Sequence, residues 1–490
     1  MPPREAYYVP FDGPSDVPSP LTPPHWLPLA PHPGNPAPRA PVRPALPSPP
    51  EGWTRTFHAV PAAYPRQLKE AHGSHSRDSH PFRDDGPEPT TSAERRERAE
   101  KEAFSAAHSR WGGTEWDMEE ALAAAPKGLF VAAERWRRDK PRGGHTVVCS
   151  HANGMQKEHW QPVMRRIIAA EAGEPGYIFG TDRPLPATPM VLDDIWMLDD
   201  ANHGASVDLN AGLLGPAQIW DDTARDLLNF IVHVLPGVKA DDSMSSACMP
   251  WNQPWQLQWR RDGEYPPVKV IGFGASFGGM AQVRAAAAAP DRYAGIFLAD
   301  PMLPPRTRTW EGVLAEPEVM LLRVRQALKR RDAWRSRDEA RQSLLQSPFY
   351  AAFHPEAFDL VVSHGLVRKP GSEEVTLATP AWCEAAVFCE GVAHARGWDK
   401  MPGLRVPIAF YMARENDRTM GDKMTREIVW RAPLARNERS MSAGHLLVQE
   451  DPVGTAEAAK RFLATLASGR WGSSPEEIRA SYEQETKARL

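Results

Sequence analysis

The sequence contains few cysteines, with only Cys149, Cys248, Cys383 and Cys389 in 490 residues. They form no C-x-x-C pair and no other spacing typical of a metal site, so we expect neither a metal ion nor another cofactor. So few cysteines in a long chain exclude a disulfide scaffold and suit a reducing compartment. We therefore expect these residues to be buried as small apolar side chains.

Long apolar runs and an excess of one charge are also missing. No stretch approaches the roughly 18–20 apolar residues of a membrane span, and the N-terminus has no apolar core typical of a secretory signal. The formal net charge is only −4. The sequence therefore predicts no membrane span and gives no reason to expect nucleic-acid binding.

Proline, in contrast, is abundant at the N-terminus, where it occupies eighteen of the first 50 positions. Such a segment has few backbone donors and little apolar surface to bury, so residues 1–51 are predicted to be disordered or polyproline-like. Residues 66–125 are largely polar and charged as well. We interpret them as a partly disordered insertion.

Apolar runs alternate with helical patterns through most of residues 52–470, which we interpret as one domain. The predicted strands are 53–60, 128–133, 145–149, 194–198, 268–271, 294–300 and 407–412. Continuous apolar strands alternating with helices predict an α/β fold with a mostly parallel sheet buried on both faces. Residues 301–400 break this rhythm and predict a helical lid, and residues 471–490 form a polar tail.

One motif in the sequence is typical of a catalytic site. Residues 274–278 read Gly-Ala-Ser-Phe-Gly, directly after the apolar run 268–271 and before an alanine-rich helix. This order of strand, glycine turn and helix is typical of a nucleophile elbow, which holds a serine hydroxyl clear of the sheet. The flanking glycines suit a turn in which a Cβ would clash. The sequence therefore predicts that Ser276 is a nucleophile.

An acid and a histidine follow in the order that such a serine requires. Asp417 comes after the strand ending near residue 412, and His445 precedes the last predicted helix, 455–466. The imidazole would act as general base, and the carboxylate would hold its tautomer. We predict Asp417 as the acid. Asp300, at the end of the strand after the elbow, is the alternative, and Glu415 is a weaker candidate.

The developing oxyanion needs backbone donors. One is expected from Phe277, directly after the nucleophile, and the other from the loop at residues 151–155, through Asn153. The same Asn-Gly pair is also a common turn dipeptide, so an ordinary turn is the alternative interpretation.

Four blocks in order then resemble a known family: residues 150–158, 200–206, 272–279 and Gly444-His445. They are similar to the α/β-hydrolase superfamily, and within it to the fungal peroxisomal branch of toxin-biosynthesis hydrolases and peroxisomal lipases. The resemblance covers about residues 52–470. It departs from the common pattern at Ala152 and Ala275, where many members carry glycine and histidine.

The resemblance implies an α/β-hydrolase fold with a helical lid and a serine hydrolase that cleaves a carboxylic ester or thioester through an acyl-enzyme. Two alternatives stay open. One is an acyltransferase or acyl-CoA thioesterase of secondary metabolism, and the other is a non-catalytic scaffold of the same fold.

Two further features bear on partners. The sequence ends in Ala488, Arg489 and Leu490, which resembles a peroxisomal address and predicts recognition by an import receptor, with the cytoplasm as the alternative location. The segment from Arg323 to Arg341 contains eight basic residues and three acidic residues. This patch could meet the phosphates of an acyl-CoA, although a solvated helix face explains it as well.

Overall fold

A nine-stranded sheet organises the chain. The computed structural model describes residues 26–37, 47–83, 91–111, 116–124, 126–171, 173–240, 255–305, 317–390, 393–417 and 419–489. No helix among these residues has the length and apolar character needed to cross a bilayer.

The strands are β1 (Trp53–Pro61), β2 (His72–His75), β3 (Phe130–Arg138), β4 (His145–Ser150), β5 (Gly176–Tyr177), β6 (Pro184–Leu185), β7 (Leu192–Leu198), β8 (Trp255–Gln256), β9 (Val270–Ala275), β10 (Tyr293–Ala299), β11 (Ala333–Trp334), β12 (Leu366–Arg368), β13 (Val375–Leu377), β14 (Ile408–Met412) and β15 (Ala435–Arg439).

The helices are α1 (Ser92–Trp111), α2 (Met118–Ala124), α3 (Gln161–Ala169), α4 (Ser206–Leu209), α5 (Trp220–Asn229), α6 (Leu235–Ala240), α7 (Phe277–Ala288), α8 (Pro317–Lys329), α9 (Arg337–Leu345), α10 (Pro348–Ala351), α11 (Pro355–His364), α12 (Ala381–Phe388), α13 (Ala393–Lys400), α14 (Gly421–Arg431), α15 (Leu447–Glu450), α16 (Pro452–Ala467) and α17 (Pro475–Arg489). A π-helical turn at Phe230–Val234 joins α5 to α6.

The sheet order is β15-β14-β10-β9-β4-β7-β3-β1-β8. The strands from β15 to β7 are parallel, whereas β3 runs antiparallel to both β7 and β1. The α/β architecture with a mostly parallel sheet, predicted from the apolar strand pattern, is confirmed. Since the carboxyl ends of parallel strands meet at one edge, the loops after β4, β7, β9, β10, β14 and β15 converge there.

The central strands are apolar on both faces because a core lies on each side of the sheet. In β4, Val148 belongs to one buried cluster, and its neighbours Val147 and Cys149 belong to the other. In β9, Val270 and Ile271 divide in the same way. This alternation follows from the two-residue period of a strand, and it explains why the central positions of these strands are apolar on both faces.

Most of the predicted lid is helical, with α8 to α13 lying between Pro317 and Lys400. It also contains a small antiparallel sheet of order β11-β13-β12, which the sequence did not predict. Residues 306–316 and 391–392 of the predicted lid lie outside the described residues.

The predicted insertion at residues 66–125 contains β2, α1 and α2 among its described residues. Helix α1 is 20 residues long and packs against the lid helices α8 and α12. Its alanines Ala99, Ala103 and Ala106 are buried, so small side chains on one face of a charged helix provide the contact surface. Residues 84–90, 112–115 and 125 lie outside the described residues.

Both predicted tails contain segments that pack on the domain. Residues 26–37 lie against it, since the Ala30 N–H donates to the Tyr64 carbonyl at 2.9 Å. The rest of the predicted tail up to residue 46 lies outside the described residues. At the other end α17 follows α16, and the buried Tyr482 hydroxyl accepts the Asn437 N–H at 2.9 Å. Leu490 is outside the described residues.

Candidate active site

The elbow forms where the sequence predicted it. Strand β9 ends at Ala275, and α7 begins at Phe277. Ser276 between them has φ 53° and ψ −122°, a conformation that costs an L-residue of order 1–3 kcal/mol. A Cβ on Gly278 would lie 2.4 Å from the His151 carbonyl oxygen. The glycine is therefore required by close backbone packing beneath the serine.

The side chains of Ser276, His445 and Asp300 form a continuous hydrogen-bonded chain. The Ser276 Oγ lies 3.0 Å from His445 Nε2, and His445 Nδ1 lies 2.5 Å from Asp300 Oδ2. The carboxylate fixes the proton on Nδ1, so Nε2 is left to accept the serine hydroxyl proton. This is the arrangement that a general base and its orienting acid require.

The carboxylate on His445 is thus that of Asp300, the alternative acid, rather than that of Asp417. Asp300 follows β10 with φ 43°, and its Oδ1 accepts the Ala413 N–H at 3.1 Å. The half-buried Asp417 accepts the Thr419 N–H at 2.9 Å. Glu415, the third candidate, is exposed and lies 3.6 Å from Arg439.

Both predicted oxyanion donors lie at the same cavity. Asn153 and Phe277 line it together with Ser276 and His445. As the first residue of α7, Phe277 has a backbone N–H that no carbonyl within the helix can accept. The loop after β4 and the start of α7 therefore both border the space next to Ser276.

The loop after β7 supports the Asn153 loop, a role that sequence reasoning missed. The buried His203 Nε2 lies 3.0 Å from the Gly154 N and 3.0 Å from the Asn153 Oδ1. Its Nδ1 lies 2.7 Å from the Asn202 Oδ1. In the sequence, residues 200–206 stand out only as one block of the family resemblance. The histidine in this block, His203, is the feature that could have indicated the supporting role.

His151 completes this support. Burial and the neighbouring His203 lower the pKa of His151 to about 4, so its ring is neutral near pH 7. Its Nε2 accepts the Asp200 N–H at 2.9 Å, and the protonated Nδ1 donates to the Ala152 carbonyl at 2.8 Å. The ring thereby ties the loop after β4 to the loop after β7.

Hydrogen bonds to the lid also stabilise the loops after β4 and β7. The Asn153 side-chain amide donates to the Glu384 carbonyl of α12 at 3.2 Å, and the Asn202 amide donates to the Cys383 carbonyl at 3.3 Å. The Gly204 N–H donates to the Thr379 hydroxyl at 3.0 Å. Helix α12 therefore contributes to the shape of the site.

The cavity has mainly apolar walls with a few polar groups. The apolar walls are formed by Trp220, Phe277, Met302, Pro304 and Phe388. Its other polar side chains are Arg323, Glu390, His394 and Thr419. An apolar cavity with a few convergent polar groups is the usual form of a small-molecule site.

The described residues contain no cluster of three or more histidine, cysteine, aspartate or glutamate side chains placed to hold a metal ion. Cys149, Cys383 and Cys389 are buried, whereas Cys248 lies outside the described residues.

A comparison of sequences and a comparison of structures both match the chain to a yeast peroxisomal protein. Peroxisomal membrane protein LPX1 of Saccharomyces cerevisiae is 29% identical over 117 residues, which span 24% of this chain and only 27% of that relative. The solved structure of peroxisomal alpha-beta-hydrolase Lpx1 from the same yeast matches with a TM-score of 0.55 and 14% identity. This match covers 90% of this chain and 98% of that chain.

Other comparisons add less. The Mycobacterium tuberculosis esterase Rv0045c matches with 15% identity over 67% of this chain and 87% of that chain, at a TM-score of 0.41. No family profile matches the chain. The Lpx1 match shows that the chain has the α/β-hydrolase fold.

Proposed function

We propose that the protein is a serine hydrolase that cleaves a carboxylic ester or thioester. The observation that carries this proposal is the chain from the Ser276 Oγ through His445 to Asp300, with separations of 3.0 and 2.5 Å. It lies in a cavity whose surface is mainly apolar.

In the proposed reaction His445 Nε2 removes the hydroxyl proton as the Ser276 Oγ attacks the carbonyl carbon. The negative charge that develops on the carbonyl oxygen is stabilised by the backbone N–H groups of Phe277 and Asn153. Protonated His445 then gives the proton to the leaving alcohol or thiol as the bond to it breaks. Asp300 stabilises the imidazolium while it exists.

The second half of the reaction reverses these roles. His445 removes a proton from a water molecule, which attacks the carbonyl of the acyl-serine, and the proton returns to the Ser276 Oγ as the free acid leaves. An acyl acceptor other than water would give a transferase by the same steps. Nothing in the described cavity favours that second function.

The test is covalent labelling of the full chain with a fluorophosphonate probe. We expect the wild type to be labelled and Ser276→Ala to remain unlabelled. Absence of labelling in a folded wild-type protein would overturn the proposal and would favour a non-catalytic scaffold.

We also propose that the protein is imported into peroxisomes through Ala488, Arg489 and Leu490. The sequence of these residues and the peroxisomal names of the yeast relative support this location. A fluorescent protein fused to the N-terminus should colocalise with a peroxisomal marker, and removal of Leu490 should leave it in the cytosol. Import that continues without Leu490 would contradict the proposal.

A further inference from the structure

The basic patch predicted between Arg323 and Arg341 is divided among several environments. Arg330 pairs with Glu384, Arg331 with Glu339, and Arg341 with Asp359. Arg325 pairs with Glu100, and Arg337 donates to the carbonyls of residues 362, 363 and 366. Lys329 and Arg335 are exposed. The cluster therefore does not act as one positive surface.

Arg323 differs from these residues because it lines the cavity that contains Ser276 and His445. It lies on the lid helix α8 and is half-buried. Within the described part of the chain, the structure gives its guanidinium group no hydrogen-bond or ion-pair partner. Burial lowers the pKa of Arg323, and the negative charge of Asp417 acts in the opposite direction. A partly desolvated cation thus faces the space in which a substrate would lie.

The carboxylate of Glu390, another charged group of the cavity wall, has a hydrogen-bond partner within the protein. Glu390 is buried, and its carboxylate accepts the Ala393 N–H at 3.1 Å, at the start of α13. A carboxylate at this position suits the positive end of a helix.

We infer that Arg323 binds an anionic group of the substrate, so that the preferred ester or thioester carries a carboxylate or phosphate away from the scissile bond. This inference rests on the proposed hydrolase function and specifies its substrate class. Guanidinium groups bind carboxylate and phosphate oxygens through paired N–H donors. Burial in a cavity with a largely apolar surface removes part of the hydration of the cation, which strengthens such a contact.

The test compares pairs of nitrophenyl esters that differ only at the far end of the acyl chain. Hydrogen adipate, suberate and sebacate esters end in a carboxylate, and the hexanoate, octanoate and decanoate esters end in a methyl group. We expect the wild type to have a higher kcat/KM for at least one anionic ester than for its neutral partner. Arg323→Met should lower that value about 10- to 100-fold, the range of a charged hydrogen bond, and should leave the neutral esters within about threefold.

Three controls make the result specific. Arg323→Lys should retain part of the preference because it retains the charge. Arg325→Met, on the same helix but paired with Glu100, should leave the preference unchanged. Asp417→Asn removes a negative charge near Arg323 without removing a hydrogen-bond partner of Arg323, so it should not weaken the preference. The inference would be overturned if no anionic ester were preferred, or if Arg323→Met lowered both classes equally.

A binding measurement separates this inference from the proposed function. Calorimetry with Ser276→Ala reports affinity for the same ester pairs without cleavage. A Ser276→Ala protein that binds an anionic ester more tightly, and loses this advantage with Arg323→Met, would support the inference even if the wild type failed to react with fluorophosphonate. Equal affinity for both classes would overturn it, whatever the labelling result.

Discussion

His445 Nδ1 lies 2.5 Å from Asp300 Oδ2, and the other oxygen of that carboxylate accepts the Ala413 N–H at 3.1 Å. The imidazole is thus held by an acid that follows β10, and this acid is itself held by the strand-end backbone after β14. Loops after adjacent strands β10 and β14 therefore fix the base opposite the serine.

This relationship predicts a large effect of Asp300→Asn. The amide cannot stabilise an imidazolium and favours the wrong tautomer, so we expect fluorophosphonate labelling of Ser276 to slow by about 10³- to 10⁴-fold. The measurement is the labelling rate of each folded variant at pH 7.5.

Asp417→Asn is the matched control for this prediction, because Asp417 also follows a strand of the same sheet edge. Its carboxylate accepts the Thr419 N–H rather than a proton of His445, so its labelling rate should stay within about threefold of wild type. If Asp417→Asn slowed labelling more than Asp300→Asn did, Asp417 would be the acid.

The conformation of Ser276 predicts an effect on stability. Its φ of 53° and ψ of −122° are costly for a residue with a Cβ but accessible to glycine. We expect Ser276→Gly to have a free energy of unfolding about 1 kcal/mol higher than Ser276→Ala, since both variants lack the hydroxyl. Urea denaturation measures the difference, and an alanine variant of equal or greater stability would argue against strain at this turn.

The elbow could be predicted from sequence because its requirements are local. A Cβ at residue 274 would clash with Gly278 and Gly279 of the same turn, and a Cβ at residue 278 would clash with the loop after β4. Both requirements leave glycines within one five-residue motif. The order of strands, glycine turn and helix is likewise a local signal. The apolar strands were predictable for a related reason, because burial on both faces leaves consecutive apolar residues in the central part of each run.

The acid could not be predicted in this way. Asp300 and Asp417 both follow parallel strands that end at the same sheet edge, so strand order alone places both near His445. Which carboxylate reaches Nδ1 depends on the local backbone, including the φ of 43° at Asp300. A residue with positive φ other than glycine leaves no clear mark in one sequence.

Strand β15 was missed for a different reason. Its sequence, Ala-Arg-Asn-Glu-Arg, has no apolar run, although four of its five residues are buried. Burial is possible because the charges are paired: Glu438 with Arg461 of α16, and Arg436 with the Trp471 carbonyl at 2.8 Å. Long-range pairing of this kind has no signature along the chain.

The contact between His203 and the Asn153 loop predicts a kinetic effect. His203→Ala removes the ring that lies 3.0 Å from the Gly154 N, so the loop should lose its position opposite Phe277. We expect kcat on a nitrophenyl ester to fall about 10- to 100-fold, less than the full loss of an oxyanion donor, with little change in KM.

A purely structural role for His203 would change stability but not this kinetic pattern. Affinity for a trifluoromethyl ketone, which forms an oxyanion with Ser276, should therefore fall in parallel with kcat. His233→Ala is the control, because that ring stacks on Trp259, 4.6 Å away between ring centroids. Equal losses in both variants would argue against a positioning role.

Buried neutral histidines predict how stability depends on pH. Burial, reinforced by the charge of Arg135, lowers the pKa of His58 from 6.5 to about 3. Between these values the unfolded chain binds a proton at this position that the folded chain does not. Stability from this group is therefore complete above pH 6.5 and is lost as the pH falls. Buried Glu134 opposes this trend, since burial raises its pKa to about 7 and its folded form retains a proton that the unfolded form releases.

The two trends oppose each other in the wild type. The contribution of His58 is therefore measured as the difference in unfolding free energy between the wild type and a variant without the histidine. His58→Gln keeps a polar group within reach of the Thr56 hydroxyl, which lies 2.8 Å from His58 Nε2, but it cannot titrate. Lowering the pH from 7.5 to 5 should therefore shift the difference in unfolding free energy by about 2 kcal/mol in favour of the variant. Urea denaturation of both proteins across this range measures the shift. A difference that stayed constant with pH would mean that His58 is protonated in the folded protein.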